Sequence, residues 1–221
     1  MLLGLVVLSG CGEGEPVKQD SREYFPLQTG FYLVYSVEEN IYTELDPPEF
    51  LTYELKTEVV DSFANQEGGF TFVIHRSTRA TESDPWEFQE AWSARTNDLH
   101  AVLTEGNTSF VRIAFPAFKN KEWNGNALNS MEEDSYIIES EGVSYELDTD
   151  LEFNDALVIN QEDELNELSR DQREEVYARN VGLIYKKSMV LNYCDEVSCF
   201  GQQIINDGVE YWQVLKEYGQ N

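Results

Sequence analysis

The side chains from which chemistry could be built are two histidines, three cysteines and 42 carboxylates, against 15 Lys and Arg in 221 residues. A serine or cysteine nucleophile needs a histidine held beside it. No G-x-S-x-G stretch occurs. His75 shares a strand face with Thr71, Val73 and Ser77, and His100 with Val102 and Thr104, so both read as surface or edge residues. The run DTDLEFND, Asp148 to Asp155, raises the question of calcium. The EF-hand template wants Gly at its sixth position and Glu at its twelfth, where this chain has Phe153 and Ile159. The alternation Leu151, Phe153, Leu157, Ile159 reads instead as a strand with acids on its wet face, and a weak site of another geometry is the alternative. No catalytic residue, metal set or cofactor is expected, and the chain reads as a non-enzyme.

Carboxylate pairs can hydrolyse glycosides, but the acid partner needs a raised pKa, and with so many acids a pair at suitable spacing arises by chance. One position stands out. Glu90 shares a face with Trp86, Phe88 and Trp92, and Lys187 shares a face with Leu183, Tyr185, Met189, Leu191 and Tyr193. A charge among apolar neighbours must find a partner or reach water. Either the two pair or line a wet cavity, or a bulge turns each outward. Trp123, in a polar loop, is a further candidate, able to stack on a sugar, fill a partner's pocket or cap an open barrel. The candidate ligand contacts are therefore Glu90, Trp92, Trp86, Lys187, Tyr185 and Trp123.

The elements that must position these residues have a period of two, the mark of half-buried antiparallel strands. In LTYELKTEVV the residues Leu51, Tyr53, Leu55 and Val59 share one face. Phe70, Phe72 and Ile74 repeat the pattern. Strand pairs are expected around Glu105-Gly106-Asn107 and around Glu141-Gly142. NVGLIYKKSMVLNYC and FGQQIIN make another hairpin, and VEYWQVLKEYG follows the turn residues Asn206-Asp207-Gly208. One helix is expected in QEDELNELSRDQREEVYA, capped by Asn160, with a thin stripe of Leu165, Leu168 and Val176. No βαβ alternation occurs. The fold class is mainly β: a large curved antiparallel sheet or open half-barrel of about 10–12 strands with one surface helix.

The N-terminus reads as an address. The apolar run Leu2 to Leu8 is too short to span a bilayer, which needs ~20 residues, but suits an export signal. Leu8-Ser9-Gly10-Cys11 resembles a bacterial lipobox, and no Lys or Arg precedes the run. The resemblance implies a signal peptide over 1–10, an acylated Cys11, a flexible leash over 11–22 and one β-rich domain over 23–221. Contact with a membrane would then run only through the acyl chains. Glu13 and Glu15 resemble the acidic tract that directs some Bacteroidetes lipoproteins to the cell surface. In an exported protein Cys194 and Cys199 read as a disulfide clipping a hairpin; as half a zinc site they lack further ligands.

The net charge of −27 is spread along the chain. It excludes nucleic acid, whose phosphates need a basic footprint, and peripheral binding to anionic lipid. It reads first as a solvated surface and second as a device for choosing a basic partner. A chain of this length can complete a core and be a monomer.

YFPLQTGFYLVYSV, the Pro116 to Trp123 loop and VYARNVGLIYKKSMVLNY together resemble, in order and spacing, uncharacterised Bacteroidetes lipoproteins. That resemblance covers most of residues 24–218. It implies a LolA-like open barrel, a curved sheet with a helix near its mouth and a concavity able to hold an acyl chain. It brings no catalytic residues. The expected function is a lipid-anchored outer-membrane carrier or binding domain for a hydrophobic or amphipathic ligand. A surface-exposed accessory protein that binds a protein partner is the alternative, and a carboxylate hydrolase a third.

Overall fold

The computed structural model describes residues 20–149 and 151–221. The segment 1–10, Cys11 and most of the 11–22 leash lie outside the described residues. Twelve strands form one antiparallel sheet: β1 Phe31–Tyr42, β2 Glu49–Ala64, β3 Phe70–Arg79, β4 Glu87–Thr96, β5 His100–Glu105, β6 Thr108–Ala114, β7 Glu122–Asn124, β8 Ser135–Glu146, β9 Glu152–Leu165, β10 Ser169–Ala178, β11 Gly182–Tyr193 and β12 Ile205–Gln220.

The strand order is β6-β5-β4-β3-β2-β1-β12-β11-β10-β9-β8-β7. Every neighbour in the sheet is therefore a neighbour in sequence except one pair, the first and last strands. β1 and β12 pair along their whole length, from Phe31–Gln220 to Tyr42–Gly208. The sheet curls into a nearly closed up-and-down barrel, so only one joint is left weak. That seam lies between β6 and β7. There Val111 N donates to Gly125 O at 2.9 Å, Trp123 Nε1 to Val111 O at 2.9 Å and Asn129 Nδ2 to Ser109 O at 2.9 Å.

Alternation places the core. Tyr35, Val37, Leu55 and Leu215 fall on matched inward positions of β1, β2 and β12 and are buried. Tyr24, Ala101, Ile113, Phe115, Tyr136, Ile138, Leu157, Ile159 and Tyr177 form a second apolar cluster from β5, β6, β8, β9 and β10. A short 3-10 turn, Ser21–Tyr24, capped by the Asp20 carboxylate, lays Tyr24 into that cluster. Arg179 anchors it, stacking over the Tyr24 ring at 4.5 Å while pairing with Asp155 at 2.6 Å and Glu23 at 2.7 Å. The outward positions of β2 and β12 carry Glu54, Lys56, Glu58 and Lys216, with Glu54 held between Arg79 and Lys216.

Three local expectations are corrected. The helix expected over 161–178 is the end of β9, a turn at Asn166 and all of β10. Val176 and Ala178 alternate with Glu175 and Tyr177, and all four are buried, which a one-sided surface helix could not achieve. Asn166 Oδ1 fixes the turn by accepting from Leu168 N and Ser169 N, each at 2.8 Å. Leu165 and Leu168, read as helix stripe, are exposed. Glu141-Gly142 is not a hairpin turn but a bulged bend inside β8, where Gly142 takes a φ of +64°. Asn206-Asp207-Gly208 likewise lies within β12. Gly208 is required there because a Cβ would sit 2.2 Å from the Val190 carbonyl oxygen at a φ of +127°.

The loop expected around Trp123 contains the short strand β7. The disulfide between Cys194 and Cys199 closes the β11–β12 connection, with Cα atoms 5.9 Å apart. Among the described residues no helix is long and apolar enough to cross a membrane.

Candidate ligand cavity

The barrel encloses a cavity of about 500 Å³, within the ~300–1,000 Å³ typical of small-molecule sites. Its lining follows from strand alternation and changes character along the axis. On β1 it runs from Phe31 and Leu33 through Tyr35 to Glu39, on β2 from Val59 and Leu55 to Tyr53, and on β11 from Leu183 to Lys186 and Ser188. The register sets Tyr35 opposite Leu55, Lys186 opposite Gln213 and Ser188 opposite Tyr211. On these strands one end, joined by Phe25, Pro26 and Leu27 from the segment before β1, is mainly apolar, with Thr57 and Glu58 its polar members, and the other is polar.

Buried charges are set into the wall. Arg112 occupies a bulge of β6, where the register with β5 slips between Ala101 and Val102, and that irregularity turns it inward. It contacts Glu105 and, at 3.3 Å, Glu175 of β10, which is 1% exposed. Lys186 reaches Glu175 at 3.1 Å, and the Tyr177 hydroxyl donates to it at 2.6 Å. Burial alone would push the Glu175 carboxyl up. Arg112, Lys186 and the Tyr177 hydroxyl overcome that and hold it at about 2. Arg112 is raised above its ordinary value: burial opposes its charge, but Glu175 and Glu105 outweigh it. This group is thus an ionised network rather than an acid poised to give up a proton.

A second cation enters from β3. Arg76 stacks its guanidinium 3.8 Å from the centre of the Trp92 ring and donates Nη1 to Glu90 at 2.6 Å. Trp92 lines the main cavity, and Glu90 lines an adjoining recess with Tyr53, Leu55, Arg76, Thr78 and Gln89.

The six residues singled out from sequence therefore fall in different places. Glu90 and Trp92 lie on the inward face beside Arg76. A register slip between Arg76 and Ser77 separates them from Phe88, which is turned out and meets His75 edge-on at 4.9 Å. Trp86 lies before β4, under Arg79 at 4.2 Å, and lines neither space. Lys187 and Tyr185 are corrected: they face away from the cavity. The slip between Val176 and Tyr177 leaves Ile184 as an extra residue in β11, so Lys186 rather than Lys187 points inward. Lys187 sits opposite Glu174 and Trp212, and Tyr185 lies beside Tyr145 at 6.2 Å. Glu90 and Lys187 do not meet. Trp123 is not a free surface ring but packs on Tyr136 at 5.8 Å and joins the seam.

Sequence reasoning missed Arg76, Arg112, Glu175 and Lys186. Arg76 was within reach, because it continues the Phe72–Ile74 face of its strand. Arg112, a lone charge between Val111 and Ile113, was a signal too. Among the described residues no cluster of three or more His, Cys, Asp or Glu is placed to hold a metal ion.

No protein-family model matches this chain, and no curated protein does. Among solved structures it is similar to a Bacteroides fragilis protein described as exported, with a YmcC-like fold, at 12% identity and a TM-score of 0.46 over 89% of this chain and 98% of that one. It is similar also to a Parabacteroides distasonis protein described as a lipoprotein, at 13% identity and a TM-score of 0.45 over 91% of this chain and 100% of that one. At these values the likeness bears on neither ligand nor chemistry.

Proposed function

We propose that this protein is an exported, lipid-anchored component of a bacterial envelope that binds an amphipathic molecule inside its barrel and does not transform it. The observation that carries the binding reading is the change of lining along β1, β2 and β11, from Phe31, Leu33, Val59 and Leu183 to Glu39, Tyr53, Lys186 and Ser188. A molecule with a hydrocarbon part and a polar head matches such a gradient in one orientation only. A hydrolytic role is disfavoured by charge. A glycosidase acid needs a raised pKa, whereas Glu175 is held low, and the carboxyl that burial raises, Glu174, lies on the opposite face of β10. Export and anchoring rest on the Leu8-Ser9-Gly10-Cys11 stretch. Placement in the outer membrane, on either leaflet, belongs to the same reading.

The test is native mass spectrometry of residues 12–221 produced in an oxidising compartment. A lipid-sized adduct lost on denaturation supports the reading and identifies the ligand class. A bare mass, together with failure to bind an uncharged fluorescent amphiphile such as N-phenylnaphthylamine, overturns it. The acidic surface would then be the feature to pursue, through a search for a basic protein partner.

A further inference from the structure

The cavity wall carries a set of buried hydrogen-bond donors that the fold does not use. Arg76 Nε, Trp92 Nε1 and Arg112 Nε are shielded from solvent and meet no acceptor among the described residues, and all three side chains line the cavity. Arg112 is 6% exposed and its side chain is fixed by two carboxylates. Arg76 and Trp92 are stacked on each other from neighbouring strands. Two other unpartnered donors, Arg95 Nε and Gln161 Nε2, lie outside the cavity lining. Leaving a donor unmet in a low-dielectric interior is costly, and the cost is recovered when an acceptor arrives.

Charge decides which acceptor. The cations of the wall, Arg76, Arg112 and Lys186, are already matched by Glu90, Glu105 and Glu175. Glu39 and Glu58 add further carboxylates, Glu39 accepting from the Tyr53 hydroxyl at 3.2 Å and Glu58 pairing with Lys56 at 2.6 Å. A carboxylate or phosphate head would enter a site with no spare positive charge, and an ammonium head would face N–H donors. An uncharged oxygen meets neither obstacle.

We propose that the ligand carries a neutral carbonyl, of an ester or an amide, that accepts from Trp92 and Arg76, while its hydrocarbon lies along Leu33, Leu55, Val59 and Leu183. Arg112 Nε–H is the third donor, available to a second oxygen of the same head. This rests on the cavity-binding reading above and assigns the head-group chemistry within it.

The experiment uses residues 12–221, which contain every strand of the described residues, with N-phenylnaphthylamine bound as reporter. Displacement is measured for dodecane, methyl dodecanoate, dodecanamide, dodecanoic acid and dodecylamine, at a pH where the acid is ionised and the amine protonated. The ester and amide should displace the reporter at least about tenfold more effectively than dodecane, the acid or the amine. In Trp92→Phe, which keeps the ring over Arg76 and removes the N–H, the advantage of the ester over dodecane should fall about tenfold while reporter binding persists. Equal or tighter binding of the acid or amine, or no preference for the ester over dodecane, overturns the head-group assignment while leaving the cavity reading intact. Absence of any reporter binding overturns both.

Discussion

Replacing Glu175 by Gln removes one charge from the barrel wall with almost no change of shape. The side chain is 1% exposed and accepts from Arg112, Lys186 and the Tyr177 hydroxyl. Its carboxyl lies at about 2 in the fold against an ordinary 4.5. At ~1.36 kcal/mol per tenfold change in proton affinity, that difference corresponds to about 3 kcal/mol of stability near neutral pH. Removing one member of a buried pair costs about 3–5 kcal/mol by an independent route, because the partners keep their charge without compensation. The two figures overlap, and for a chain of this size they amount to a Tm lowered by roughly 6–20 °C. The pH dependence has a definite sign. A folded-state pKa below the unfolded value adds stability that is complete above about 4.5 and disappears as pH falls toward about 2. Urea unfolding followed by tryptophan fluorescence, run from neutral pH downward on both proteins, reads this directly. The gap between them should be near its full size above about pH 5 and should close on acidification. A gap below about 1 kcal/mol at neutral pH, or one that does not shrink, would refute the account of Glu175 as a paired, ionised group.

Three other perturbations address the frame around the cavity. Trp123→Phe removes the bond from Nε1 to the Val111 carbonyl at the seam and should cost about 1 kcal/mol. Faster amide exchange should appear in β6 and β7 before it appears at the β1–β12 joint, and uniform exchange would contradict a localised weak point. Gly208→Ala places a methyl 2.2 Å from the Val190 carbonyl oxygen at a φ of +127° and should destabilise by at least about 2 kcal/mol; an unchanged Tm would show that the strands do not approach so closely. Replacing Cys194 and Cys199 together by Ser opens a loop of sequence separation 5. It should cost about 2 kcal/mol by the loop-entropy estimate, with the barrel still formed by circular dichroism.

Much of the architecture was legible because period-two alternation is read residue by residue. Tyr53, Leu55, Val59, Ile74 and Trp92 could be assigned to one inner surface, and they line the cavity. What escaped was the effect of single-residue slips. One extra residue in a strand reverses the facing of everything beyond it, and these slips decide whether Lys186 or Lys187, Glu90 or Phe88 turns inward. Hydrophobic pattern alone does not mark them. The misassigned helix over 161–178 has a different cause. Its residues are strong helix formers by composition, and a charged strand is held only by its neighbours: Gln172 to Asp163 at 2.6 Å and Arg173 to Asp134 at 2.7 Å. Asp134, just before β8, is out of reach of a local reading, and Asp163 is a partner only if the stretch folds back on itself as β9 and β10; the misreading concealed Glu175.

The order of the strands has a consequence for how the chain can reach this state. The best-bonded joint in the ring links segments nearly two hundred positions apart, Phe31 with Gln220, whereas the weakest links successive strands. A chain delivered from its N-terminus first therefore builds two meanders joined only by the weak β6–β7 seam until the sixteen residues of β12 arrive. Until then β1 and β11 each present a bare edge, open to pairing with any extended peptide nearby. Such distant pairing is slow to find. Emergence of the last strand, rather than collapse of the first ones, sets the moment at which the cavity comes into being.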